Sequence, residues 1–256
     1  MAFEQLGGLD TTNLLVSISL VTLLLVASKI TKILDNRGTI AAAIVGVLVG
    51  VAGHWSWLII LLSFLASSHY ATKWNWEEKK AKGFCESEDG ARGWKNVVAN
   101  GGIPAIAAIW AFYSDNWSDM FWVISCGVAV AASDTWASEF GCLDERSRMI
   151  TNLRACEPGV NGGFSPNGQV AALAGSAFIA SVAFIAGWIP GNGDFMVGLK
   201  IAGIITVIGW IGCQIDSLLG AILENRGLMT KGTVNAAAIT CGMLLACWLI
   251  NSLNWL

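Results

Sequence analysis

The chain has 256 residues, 55% of them hydrophobic and only 13% charged. Soluble domains carry about 25% charged residues, so the composition excludes a water-soluble globule, and so much apolar content excludes disorder. A net charge of −3 gives no reason to expect nucleic acid as a partner.

A membrane-crossing helix needs about 20 mostly apolar residues. In chain order the sequence predicts eight such segments, near 13–34, 38–53, 55–72, 94–113, 119–139, 167–189, 195–221 and 233–250. The second is short, and the third follows it after a tight turn near Gly53. The expected fold is therefore all-α, a polytopic helical bundle forming a single integral-membrane domain over residues 1–256. The 29 glycines, crowded into the apolar runs, suit helices that pack backbone to backbone. The first segment does not read as a cleavable signal, because Glu4 and Asp10 precede it while Lys29 and Lys32 come at its end.

With eight spans, connections one–two, three–four, five–six and seven–eight fall on one side. Those connections and the adjoining span ends hold 14 of the 15 Lys and Arg residues, Lys200 being the exception. By the positive-inside rule these loops face the cytoplasm and both termini lie outside, in the plasma membrane if the host is prokaryotic. The Lys79-Lys80-Ala81-Lys82 run reads as topogenic or lipid-facing. Seven cysteines without a CxxC pair, and two histidines, imply neither a zinc site nor a disulfide scaffold.

Polar residues inside membrane spans are costly and mark function by default. In the fourth segment Arg92, Lys95, Asn96 and Asn100 fall within a helical arc of about 140°, and Gly101, Gly102 and Pro104 are expected to loosen or break the helix. The fifth ends in Ser133-Asp134-Thr135-Trp136-Ala137-Ser138-Glu139. Asp134 and Glu139 are about 140° apart on an ideal helix, so they share one site only if the helix unwinds or another element lies between them. Carboxylates of this kind hold hard cations such as magnesium (Mg2+), and a salt bridge from Asp134 to Arg92 or Lys95 is the structural alternative. Next comes Pro158-Gly159-Val160-Asn161-Gly162-Gly163-Phe164-Ser165, a glycine turn leading into the sixth segment, with Ser165 a natural N-cap and Pro166 a natural first helical residue. Such a helix start favours anions and phosphates. In the seventh segment Gly209, Gly212, Asp216 and Gly220 line one face, a smooth groove carrying one acid.

These four segments together resemble a membrane family typified by plant phytyl-phosphate kinase and animal transmembrane protein 19, and more distantly the polyprenol kinases and CDP-lipid synthases. The likeness runs from Leu34-Asp35 to Ala238. It implies transfer of a phosphoryl group from a nucleoside triphosphate, CTP or another, to an isoprenoid monophosphate. Val160 stands where the resemblance leads one to expect threonine, so one hydroxyl contact is lost. On this reading Asp134 and Asp216 hold Mg2+, with Glu139 third. Asn161, Gly162, Gly163 and Ser165 cradle phosphates, Lys95 and Arg92 neutralise them, Asn100 orients an oxygen, and Asn96 joins the nucleotide- or phosphate-binding set. Partners would be the nucleotide, the lipid phosphate and membrane lipids, with a homo-oligomer left open. The competing readings are an ion-coupled transporter, a cytidylyl transfer to a lipid and a purely structural membrane protein.

Overall fold

The computed structural model describes residues 7–85, 87–191 and 195–253. Helix α1 spans Thr11–Thr31. Helix α2, Asn36–Val47, widens into a π-helical turn at Leu48–Gly53, and α3 spans Trp55–Lys73. A short α4, Trp76–Ala81, precedes α5, Trp94–Ser114, and α6, Trp117–Gly141. The strands β1, Arg148–Met149, and β2, Gly163–Phe164, pair antiparallel in the loop before α7, Pro166–Gly191. Helix α8, Phe195–Leu219, ends in a π-helical turn at Gly220–Glu224, and α9 spans Lys231–Leu253.

Seven of these helices are long and apolar enough to cross a bilayer. The eighth expected span, α3, is not among them, because Ser63, Ser67, Ser68 and His69 dilute its apolar run. It still crosses the bundle with the others. Its N-terminal end lies beside Gly53, where the Gly8 amide donates to the Gly53 carbonyl at 2.8 Å. Its C-terminal end reaches the charged loops, where Thr72 meets Glu139. One end of the bundle thus gathers residues 8–10, 53–55 and 115–117. The other gathers the α1–α2, α3–α5, α6–α7 and α8–α9 connections, with 14 of the 15 basic residues.

Helix α6 is the axis: it packs on α3, α5, α7, α8 and α9, and 78% of its apolar window is buried. Lipid tails are as apolar as leucine, so helices associate in a membrane through close packing rather than by escape from water. The contacts show this. A Cβ on Gly212 would run into Val130, one on Gly209 into Ser176 and Ala129, and one on Gly127 into Met243 at 2.7 Å. The glycine face of α8, expected as a groove, is therefore packing surface against α6 and α7, and only its last turn opens toward a cavity. Large exposed apolar side chains such as Ile18, Ile40, Ile106, Val170 and Leu244 lie on the outside of the bundle, where lipid solvates them.

Helix α5 also departs from expectation, since it runs unbroken through Gly101, Gly102 and Pro104. Proline removes one i→i−4 bond without ending a helix whose neighbours hold it in place. Here the amide lost is the one that would serve the Asn100 carbonyl.

Candidate functional site

The polar motifs converge at the basic end of the bundle. Asp134, near the end of α6, and Asp216, near the end of α8, both line a cavity of about 360 Å³. Their carboxyl groups lie close enough to influence each other. On one side the cavity is closed by the glycine turn, including Gly159, Asn161, Gly162 and Gly163, and on another by Ser217, Gly220 and Glu224.

The turn keeps its shape through backbone that only glycine accepts readily. Gly159 has φ +79° and Gly162 φ +81°, both in the left-handed region. A Cβ on Gly162 would also collide with Ala221 and come within 3.0 Å of the Ser217 carbonyl, so the turn lies flat on the end of α8. The Gly162 carbonyl accepts from the Ile150 amide at 2.8 Å, and the Gly163 amide donates to Val160 at 2.9 Å.

Ser165 caps α7 as its sequence position predicts. Its hydroxyl accepts from the Gly168 amide at 3.1 Å and donates to the Gly141 carbonyl at 3.4 Å, tying the start of α7 to the end of α6. Asp144 adds a second cap by accepting from the Asn167 amide at 3.0 Å. The Arg146 guanidinium grips both Asp144 oxygens and holds that carboxyl well below the usual carboxylate range. The loop is thus pinned from both helices before any ligand arrives.

Two residues that sequence reasoning passed over also belong here. Lys231, the first residue of α9, lines the cavity and interacts with Asp216. Asn235, one turn further along, has its side-chain amide 3.3 Å from Asp216 Oδ2, and with its nitrogen turned to face that oxygen it would donate to it. The available signal was the i, i+4 pairing of polar residues at a helix mouth, the same one that picks out Arg92 and Asn96 on α5.

The remaining predicted residues divide. Glu139 lines the same cavity, but its carboxylate is engaged elsewhere: Lys79 Nζ lies 2.7 Å from Oε2, and the Thr72 hydroxyl donates to Oε1 at 2.6 Å. Lys79 is only 1% exposed. The Lys79–Lys82 run therefore does not simply face lipid or water; α4 turns Lys79 inward. Arg92 lines a second hollow beside the acid cavity rather than the cavity itself, and donates to Asn96 Oδ1 at 3.0 Å and to Thr72 at 3.3 Å. Asn96 lines that second hollow too, and Asn100 lies deeper in α5. Lys95 is exposed and does not line the acid cavity. Among the described residues no group of three His, Cys, Asp or Glu side chains is placed to hold a metal ion.

Comparison with known proteins matches residues 19–252 to DUF92, a family of integral membrane proteins. The chain belongs to this family. It is 33% identical over 231 residues to an uncharacterised membrane protein of Methanocaldococcus jannaschii, covering 90% of this chain and 91% of that one. It is 30% identical over 213 residues to Protein PGR of Arabidopsis thaliana, covering 77% and 74%. With Protein VTE6, chloroplastic, of the same plant, it shares 24% over 222 residues, covering 83% and 64%. No solved structure matches. These plant relatives agree with the resemblance drawn from the motifs.

Proposed function

We propose that the protein is a membrane phosphotransferase that passes the γ-phosphoryl group of a nucleoside triphosphate, CTP or another, to an isoprenoid monophosphate. The observation that carries this reading is the meeting of Asp134 and Asp216 with Lys231 and the Gly159–Gly163 turn around one cavity at the basic end of a lipid-embedded bundle. A lipid phosphate stays in the bilayer while its head meets a soluble nucleotide. That demands acids, a cation and open backbone amides at one membrane face. The positive-inside rule puts this face in the cytoplasm, where nucleotides are, and puts both termini outside.

The residues present suit Mg2+. Two acids brought together repel unless a proton or a cation lies between them. Magnesium takes one or two carboxylates and completes its shell with waters and substrate phosphates, which is what a pair of carboxylates facing a cavity beside a glycine turn offers. Asp134 and Asp216 would hold the ion, and its chemistry there would be to neutralise charge on the nucleotide phosphates. Glu139, already bound to Lys79 and Thr72, holds the wall of the cavity in this reading.

In the reaction, an oxygen of the acceptor phosphate attacks the γ-phosphorus. The bond from that phosphorus to the β–γ bridging oxygen breaks, and the nucleoside diphosphate leaves with that oxygen. The acceptor has a second pKa near 6, so at neutral pH it is already an anion and needs no strong base. Any proton it still carries is lost to water. Catalysis then rests on positioning and charge stabilisation. The glycine turn presents amides to the nucleotide, Lys231 offsets charge beside Asp216, and Asn235 holds the Asp216 carboxylate in place.

The test is turnover by purified protein with prenyl monophosphates and labelled CTP or ATP. Magnesium-dependent formation of prenyl diphosphate is the expected result, with loss in Asp134→Asn and Asp216→Asn. Full activity in both variants, or a product that retains the cytidine base, overturns the reading. So does solute flux in proteoliposomes without nucleotide turnover.

A further inference from the structure

Helices α7 and α8 are joined in two different ways along their seam. In the middle of α7 they meet at backbone distance. The Ser176 hydroxyl donates to the Thr206 carbonyl at 2.8 Å, and a Cβ on Gly209 would strike Ser176. Toward the basic end the same seam is bridged by long side chains. Gln169 Nε2 donates to Gln214 Oε1 at 3.2 Å, the Trp210 indole donates to Gln169 Oε1 at 2.9 Å, and Gln214 Nε2 donates to the Trp210 carbonyl at 3.2 Å. A serine hydroxyl reaches the neighbouring backbone at the first place, whereas two glutamines span the gap at the second. Side-chain size at a contact sets the distance between helix axes, so the seam widens toward the acid cavity.

Gln169 stands on both sides of that gap. It lines the acid cavity together with Cys213 and Ser217 of α8. It also holds the indole of Trp210, which is 37% exposed on the outside of the bundle. One side chain thus separates the cavity from lipid. Elsewhere the wall has more behind it. Gly168 of α7 sits directly on Gly141 of α6, buried Lys79 and Thr72 back Glu139, and buried Asn235 of α9 backs Asp216. Beside the gap the outer surface is apolar, with Val170 71% exposed and Leu173, Val207 and Leu218 exposed as well.

Polar contacts between membrane helices can serve only to join them. Here Ser176 and Gly209 already do that. What the glutamines add is polarity where the cavity wall is also the surface of the bundle, a costly placement in a bilayer that marks function by default.

We infer that the lipid acceptor lies across the α7–α8 seam, its phosphate head in the acid cavity and its tail passing between Gln169 and Gln214 into the bilayer along Val170, Leu173 and Trp210. This rests on the phosphotransferase reading for the identity of the head. Donor and acceptor then share one cavity, as direct transfer of the γ-phosphoryl group requires. The tail needs no enclosed pocket, because lipid solvates it outside the helices. A cavity of about 360 Å³ has to admit only the phosphate groups that react.

The experiment uses the full chain in nanodiscs and a long-chain prenyl monophosphate with a diazirine on its first isoprene unit. After irradiation, labelled peptides are mapped by mass spectrometry. Labelling is expected within 169–173 and 207–214, displaced by unlabelled prenyl monophosphate but not by phosphatidylcholine. In parallel, turnover is compared between the long-chain acceptor and its water-soluble counterpart of a single isoprene unit, which can reach the cavity from the loops. Gln214→Trp, which plugs the seam without lining the cavity, should raise KM for the long-chain acceptor about tenfold. KM for the short acceptor and for the nucleotide should stay unchanged. Labelling on α1, α2 or α5, equal displacement by phosphatidylcholine, or KM values for the two acceptors that move together overturn the inference. The two readings fail separately. Seam labelling without turnover of either acceptor sinks phosphoryl transfer and keeps the lipid site, whereas Asp134-dependent turnover with labelling elsewhere sinks the seam alone.

Discussion

Both ends of the bundle use polar residues to cap helices, and only the basic end also turns them toward hollows. At the end away from the basic loops, polar groups are spent on backbone. Asn13 donates to the carbonyls of Gly8 and Gly50 at 2.8 and 2.9 Å and accepts from the Trp55 amide at 2.8 Å. Asp10 caps α1, His54 caps α3 and Asn116 caps α6. At the basic end, Asp134, Asp216, Arg92, Asn96 and Glu139 face hollows instead. A polar residue in a membrane protein points to chemistry when it faces a cavity, and to architecture when its hydrogen bonds end on carbonyls and amides of the turn beside it.

Substitutions can break that contrast. The largest effect is expected for Asp134→Asn and Asp216→Asn, which should lower turnover roughly a thousandfold, about 4 kcal/mol of barrier. Thermal unfolding should show no loss of stability, because each change removes repulsion between neighbouring acids. Next comes Glu139→Ala, which strands buried Lys79. Removing one partner of such a pair costs about 3–5 kcal/mol, to be read as a clear drop in melting temperature that Asp134→Asn does not share.

At the opposite end the expected signature is one of pH alone. Burial pushes the His54 imidazole down to about 4, with Asp10 opposing. Above the ordinary value near 6.5 the ring is neutral folded and unfolded. As pH falls from there toward 4, the unfolded chain takes up the proton first, so stability is lost on acidification, by at most about 3 kcal/mol. His54→Asn, which keeps a capping acceptor, should flatten this slope in unfolding measured from pH 7 to 4 and leave turnover at pH 7 unchanged. The smallest effect is that of Ser165→Ala, which removes the α7 cap for about 1 kcal/mol. A raised KM for nucleotide in that variant would show that the cap also sets the glycine turn.

The spans were legible because a bilayer imposes one length and one polarity on every crossing segment, and the even count placed all the basic loops together. Asp134 and Asp216 were legible for the same reason, since a lone acid near apolar residues stands out. Contacts that depend on how a helix is rolled were not. Lys79 sits in a run of like charges, and nothing in that run tells the inward lysine from its neighbours. Lys231 and Asn235 face Asp216 only because α9 packs beside α8, and the glycines of α8 read as an open groove although α6 fills it. Continuity of α5 through Pro104 likewise depends on the helices around it, not on local propensity.

The five-residue step from Asp134 to Glu139 on α6 has a consequence for how this architecture can vary. Each added residue rotates the downstream part of a helix by about 100° around its axis. One residue inserted between them would turn Glu139 away from Lys79 and Thr72 while Asp134 kept its place opposite Asp216. The partition between the two chambers is therefore specified by counting along one helix as much as by the side chains it carries.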